Sequence, residues 1–149
     1  MRAVCQRVRW GRVLVDGAVV GSINYGWAIL LGVGAEDDEA TAGSLVQQIA
    51  ELRAFDDGSG RMNLSARDVQ AEFLVISQIT LHADTSKGRR PGFAKAAPRD
   101  LAIRLVDHFC QVVRDQGFLV ATGQFGAMMD VELCNDGPVT IVLSTDGWN

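Results

Sequence analysis

The sequence predicts an α+β fold: a single domain over residues 1–149, built on a mixed, mostly antiparallel, barrel-like sheet with two main helices. Three observations predict it. Strand-length apolar runs outnumber helical stretches, at about seven or eight to two. The two helical patterns are separated in sequence by strands. Early hairpin signals favour antiparallel pairing over a doubly wound parallel sheet.

The elements follow in order. Residues Ala3–Val8 and Arg12–Val15 read as short strands around Trp10-Gly11. Asp16-Gly17 is a strong hairpin signal, and Ala18–Ile23 returns as a strand. After a break at Asn24-Tyr25-Gly26, the apolar run Trp27–Val33 has the length of a central strand. The Gly32-x-Gly34 that closes it lacks the third glycine of a dinucleotide fingerprint, so no cofactor is assigned there. Acidic residues Glu36–Glu39 open a helix expected to run to Ala54, with Leu45, Ile49 and Leu52 on one face. Asp56–Gly60 is a turn cluster without calcium-loop spacing, and no metal is assigned there either.

Phe73–Gln78 is a second apolar strand, followed by a polar stretch, Thr80–Phe93. A second helix begins near Pro98, where proline suits a first turn. Its stripe is Ala102, Leu105, Val106, Phe109 and Val113, with His108 on the flank, and Gly117 stops it. Phe118–Thr122, Val131–Leu133 and Val139–Leu143 read as the last strands, with Asn135–Pro138 as a turn between two of them. The tail ends in Gly147-Trp148-Asn149.

Composition excludes several classes. Hydrophobic residues make up 48% and charged residues 21%, an ordinary globular balance. No apolar run approaches the roughly 20 residues that span a bilayer. The charged, strand-like start Met1–Arg7 has no signal-peptide pattern, so a cytoplasmic location and no membrane partner are expected. Net charge is −4, which argues against a long phosphate-backbone interface such as duplex DNA; a nucleic-acid contact would be a local one. Cys5, Cys110 and Cys134 fit no zinc or redox spacing and read as buried core thiols.

Two polar islands interrupt apolar strands. Ser77-Gln78-Ile79-Thr80 stands where a strand ends and a loop begins. It is either a strand end closed by local hydroxyl and amide bonds or the wall of a ligand site. Asn135–Thr140 contains Gly137-Pro138, which on pattern alone is a turn; a cis bond there would redirect the Gly and Pro carbonyls. The Asp84–Phe93 loop sets Lys87, Arg89 and Arg90 against Asp84, and is a solvated loop or an RNA-end contact. There is no G-x-S-x-G elbow, H-E-x-x-H or Walker loop, and the two histidines fit no triad. A hydrolase of this sequence would need little side-chain acid–base chemistry.

The residues resemble the D-aminoacyl-tRNA deacylases over nearly the whole chain. The matching segments include Met1–Val8, Gly58–Ser65, Ser77–Asp84, Lys87–Phe93, Thr122–Met129 and Val131–Thr140. The resemblance implies that family's fold and a homodimer. It implies hydrolysis of the ester joining a D-amino acid, or glycine mischarged on tRNA-Ala, to the 3′-terminal adenosine of tRNA, with no cofactor. Ser77, Gln78 and Thr80 would line the site and bind the adenosine. Gly137 and Pro138, joined by a cis bond, would enter the partner's pocket, hold the α-ammonium group and exclude L side chains. Arg7 would orient that pair, and Phe125 and Met129 would wall the pocket. Ile79, Asn135 and Thr140 complete the substrate-contacting positions. The RNA 2′-hydroxyl would assist cleavage, because a lone Thr80 without a base is a weak nucleophile.

This chain departs from the family twice. Ile79 stands where Phe is usual, and His82 where an aromatic is usual. Base stacking is worth roughly 1–3 kcal/mol, so the effect depends on whether these side chains face the site or pack inward. Two other readings stay open on the residues: a dimeric RNA-end binding module without turnover, and a cysteine-dependent hydrolase.

Overall fold

A computed structural model describes residues 1–147; Trp148 and Asn149, which belong to the tail noted above, lie outside the described residues. The strands are β1 (Arg2–Val15), β2 (Ala18–Ile23), β3 (Gly26–Gly32), β4 (Phe55–Asp56), β5 (Met62–Leu64), β6 (Glu72–Ser77), β7 (Val120–Thr122) and β8 (Asp130–Ser144). The helices are α1 (Glu39–Glu51) and α2 (Arg99–Asp115), with a 3-10 turn at Ile79–His82. The main sheet runs β2-β1-β3-β6-β7, and β8 pairs along the other edge of β1. Pairs β1/β2, β1/β3 and β1/β8 are antiparallel, whereas β3/β6 and β6/β7 are parallel. The expected mixed, mostly antiparallel sheet is present.

The sheet curls until its ends meet. A Cβ built on Gly21 of β2 would lie 2.2 Å from the Thr122 carbonyl oxygen of β7. Only a glycine lets these two backbones approach so closely, and the approach nearly closes the barrel.

Alternation along the strands divides the core into two layers. Trp27, Ile29 and Leu31 of β3, with Phe73 and Val75 of β6, join Leu45, Val46 and Ile49 of α1 and Leu105, Phe109 and Val113 of α2. Ala28, Leu74 and Ile76 point the other way, into the barrel, with Val8, Val13 and Ile23. On β1, Ala3 and Cys5 face the helices but Val8 and Val13 face the barrel. Register shifts between Gln6 and Val8 and between Val8 and Trp10 accompany that change of face.

Several boundaries differ from the sequence reading. The two expected short strands at the N-terminus are one strand, β1, because β8 pairs with it from Arg2 to Leu14 and carries it through Trp10-Gly11. The first helix begins with Asp38 as N-cap, accepting from the Thr41 amide at 2.8 Å. It ends at Glu51 rather than Ala54, because Leu52 turns extended and Ala54 is drawn off to accept a hydrogen bond from Arg7. The Asp56–Gly60 turn joins β4 and β5, a hairpin too short to show in the pattern. Asn135–Pro138 is not a turn between two strands: β8 continues through it as one strand, with a register shift opposite Arg7. Cys134 is half-buried rather than buried, since it lies on this outer strand.

Candidate functional site

Parallel strands β3 and β6 end side by side, and a cavity of about 520 Å³ opens beyond their carboxyl ends. That size suits a small ligand or one nucleoside. Its walls come from Ser77 at the end of β6 with Gln78 and Ile79 after it, Ala97, Arg99 and Ala102 around the start of α2, and the Phe125–Met129 segment between β7 and β8. A second cavity, of about 440 Å³, lies on the barrel side against Gln6, Ile76, Gln78 and Asn135. Gln78 borders both.

Its position is fixed by the backbone. The Gln78 amide donates to the Leu31 carbonyl at 2.7 Å, and its carbonyl accepts from Leu81 at 3.3 Å, closing the 3-10 turn. Arg2 donates to the Leu81 carbonyl at 2.8 Å and holds that turn from outside. The Gln78 side-chain amide donates to the Thr80 hydroxyl. Thr80 is exposed, and no histidine or carboxylate among the described residues hydrogen-bonds to it.

The two departures now have locations. Ile79 is 56% exposed on the cavity wall, so it faces the site and does not pack inward. His82 is buried, borders a different cavity with Arg2, Asp84 and Lys95, and does not line the one beside Ser77 and Gln78. Burial, with Arg2 and the N-terminal ammonium nearby, holds its imidazole below the ordinary pKa.

Gly137-Pro138 sits elsewhere on the chain. On β1, Gln6 pairs with Thr140 and Val8 with Asn135. Arg7 alone therefore spans residues 136–139 of β8, which bulge outward. The Gly137-Pro138 peptide bond is cis, and both residues are exposed. Arg7 anchors the base of the bulge while itself buried. Its Nε donates to the Asp136 carbonyl at 3.2 Å and lies 3.1 Å from the Asp136 carboxylate. Its Nη1 donates to the Ala54 carbonyl at 2.8 Å and to Asp56 at 3.2 Å. The planar fork thus ties β8 to the segment after α1, with two carboxylates to balance its charge. Burial, then the Asp136 carboxylate, pushes the Tyr25 phenol up. A Cβ on Gly137, where φ is +123°, would meet Val139 at 2.9 Å and Arg7 Nη2 at 3.3 Å.

The predicted positions therefore form two groups. Ser77, Gln78, Ile79, Phe125 and Met129 line one cavity, with Thr80 bonded to Gln78. Arg7, Gly137 and Pro138 form the bulge and do not line that cavity. Asn135 faces the second cavity, and the Thr140 hydroxyl donates to Gln6 at 2.7 Å. Sequence reasoning assigned no role to Gln6, although it falls within the matching Met1–Val8 segment, and missed Arg99, which carried no signal beyond its place after Pro98. Two of the three thiols are unreactive: burial pushes Cys5 up to about 12 and Cys110 up to about 11, so neither is a nucleophile at neutral pH. Among the described residues no cluster of side chains could hold a metal ion, and no helix is long and apolar enough to cross a membrane.

Comparison with known proteins places the chain in a family. The D-Tyr-tRNA(Tyr) deacylase family profile matches residues 4–144. A D-aminoacyl-tRNA deacylase of Roseiflexus castenholzii is 53% identical over 145 residues, covering 97% of this chain and 92% of the relative. One of Bacillus cereus is 51% identical, covering 97% and 99%. A solved structure described as a c-Myc DNA unwinding element binding protein superposes with TM-score 0.91 at 38% identity, covering 97% and 99% of the two chains. Another, of a probable eukaryotic D-amino acid tRNA deacylase, has TM-score 0.82 at 18% identity, covers 95% and 97%, and shows the shared fold. Fold and matches define the class as a hydrolase of the deacylase type. The chain belongs to the D-aminoacyl-tRNA deacylase family.

Proposed function

We propose that this protein, a single domain over its 149 residues, hydrolyses D-aminoacyl-tRNA, and glycine mischarged on tRNA-Ala, as a cytoplasmic homodimer. Water adds to the ester carbonyl; the carbonyl–oxygen bond to the terminal ribose breaks; free amino acid and tRNA leave. The cavity beyond β3 and β6 takes the terminal adenosine, with Ser77 and Gln78 supplying polar contacts and Phe125 and Met129 the apolar wall. The exposed bulge at Gly137-Pro138 enters the partner's cavity, where its carbonyls receive the α-ammonium group and its bulk leaves no room for an L side chain. Such steric rejection is discrimination against the wrong substrate by a built-in clash.

The observation that carries this reading is the Arg7 clamp. A buried guanidinium is spent on presenting two exposed residues at fixed geometry, at a place where strand pairing alone would leave none. The RNA 2′-hydroxyl supplies the proton relay, since among the described residues Thr80 has only Gln78 as side-chain partner. Two assays test the reading. The protein is incubated with D-Tyr-tRNA and L-Tyr-tRNA, and ester loss is followed; retention of both esters refutes hydrolysis. A D-Tyr-tRNA ending in 2′-deoxyadenosine should be cleaved far more slowly, and an equal rate refutes the role of the 2′-hydroxyl.

A further inference from the structure

The cavity beside Ser77 and Gln78 carries one cation among its lining residues, Arg99 at the first turn of α2. Local stability does not explain it. A helix N-terminus is already partly positive, and a cation there is disfavoured. Arg99 makes no ion pair among the described residues. Yet its guanidinium is held in place from two sides. Its carbon lies 5.2 Å from the ring centroid of Phe125. A Cβ on Gly126 would come 2.8 Å from Nη1 and 3.2 Å from Nη2, so the group rests against bare backbone. An exposed cation seated on an aromatic ring, in a protein of net charge −4, lacks an internal counter-charge.

The geometry points to Arg99 as a binding residue for the phosphodiester that links the terminal nucleoside of the tRNA to the one before it. This rests on the reading that the cavity takes that nucleoside. The other lining groups sort accordingly. Ser77 and Gln78, at the end of β6, suit the ribose and ester; the remaining wall is apolar and suits the base. The nucleoside's 5′ phosphate is the one anionic part left to place, and the one cation of the lining belongs to the α2 wall. A guanidinium supplies paired N–H groups that match phosphate oxygens, while its face stays on Phe125.

The test uses a labelled RNA hairpin ending in a single-stranded CCA-3′ hydroxyl, bound to the wild type, Arg99→Ala and Arg99→Lys across a salt series, with adenosine as competitor. Arg99→Ala should weaken RNA binding about tenfold at low salt, as loss of a hydrogen bond to a charged group implies. The slope of log K against log salt should shrink by about 0.7, one contact on a single strand. Arg99→Lys should recover part of both, adenosine competition should not change, and melting temperatures should match. Unchanged RNA affinity and slope in Arg99→Ala would overturn the inference. So would equal losses for RNA and adenosine, which would make Arg99 a wall of the base pocket, and so would a wild type that does not bind the hairpin. If the Arg99 effect is present but D-esters survive, the deacylase reading fails and this one stands.

Discussion

Arg7 offers a perturbation whose two consequences can be separated. Truncation to Ala removes four contacts at once: two to Asp136, one to Asp56 and one to the Ala54 carbonyl. Asp136 is only 19% exposed, so its carboxylate would lose its buried partner and keep only Arg9 at 3.5 Å, which is itself 69% exposed and offsets little of the loss. Breaking a buried ion pair by removing one partner costs about 3–5 kcal/mol. Asp56 is 46% exposed and recovers water, so Asp56→Asn should cost under about 1 kcal/mol. Arg7→Lys keeps the charge but replaces the fork with a single point donor, and should fall between the two. Urea denaturation measures stability, and D-Tyr-tRNA ester loss measures turnover well below the unfolding midpoint. Arg7→Ala should lose activity while still folded, because the bulge is no longer pinned, with Arg7→Lys intermediate in both assays. Wild-type stability for Arg7→Ala, or full turnover in the folded variant, would refute the clamp.

Three further outcomes follow from other features. Gly137→Ala places a methyl at φ +123°, 2.9 Å from Val139, and should cost roughly 1–3 kcal/mol and lower turnover; unchanged urea curves would show the bulge to be loosely held. His82 is neutral in the fold because its pKa lies below the ordinary 6.5, with burial the largest cause and the Gly32 backbone and Asp146 pulling the other way. The unfolded chain therefore takes up this proton first, so His82's contribution is complete above about pH 6.5 and falls as pH drops toward the lowered native value, by at most about 1.4 kcal/mol per pH unit. His82→Leu should flatten that acid limb in stability-versus-pH curves. Iodoacetamide at pH 7 should spare Cys5 and Cys110, which at about 12 and about 11 hold almost no thiolate, and Cys134→Ser, at the half-buried thiol, should keep turnover; loss of activity in that variant without unfolding would revive a cysteine-dependent hydrolase.

What the sequence reveals follows the range of the forces involved. The Asp16-Gly17 turn was legible because its geometry is local: Asp16 has φ +50° and Gly17 φ +78°. The stripe of α2 was legible because burial against one face imposes a 3.6-residue period. Barrel closure was not, since it depends on Gly21 meeting a carbonyl about a hundred residues later. The continuity of β8 was hidden for the same reason. A Gly-Pro between apolar runs signals a turn unless a distant strand supplies pairs on both sides, as β1 does here. Ser77, Gln78, Phe125 and Met129 came from motif resemblance, and their convergence on one cavity required coordinates. Arg99 has no periodicity or motif to mark it; only its seat on Phe125 singles it out.

The central claim is chirally selective ester hydrolysis. It is tested most directly by measuring kcat/KM for D-Tyr-tRNA and L-Tyr-tRNA with the purified wild-type protein under identical conditions. The account predicts rapid cleavage of the D-ester with the L-ester lost no faster than in buffer. Equal cleavage of both would contradict the filter at Gly137-Pro138, and cleavage of neither would contradict the enzyme.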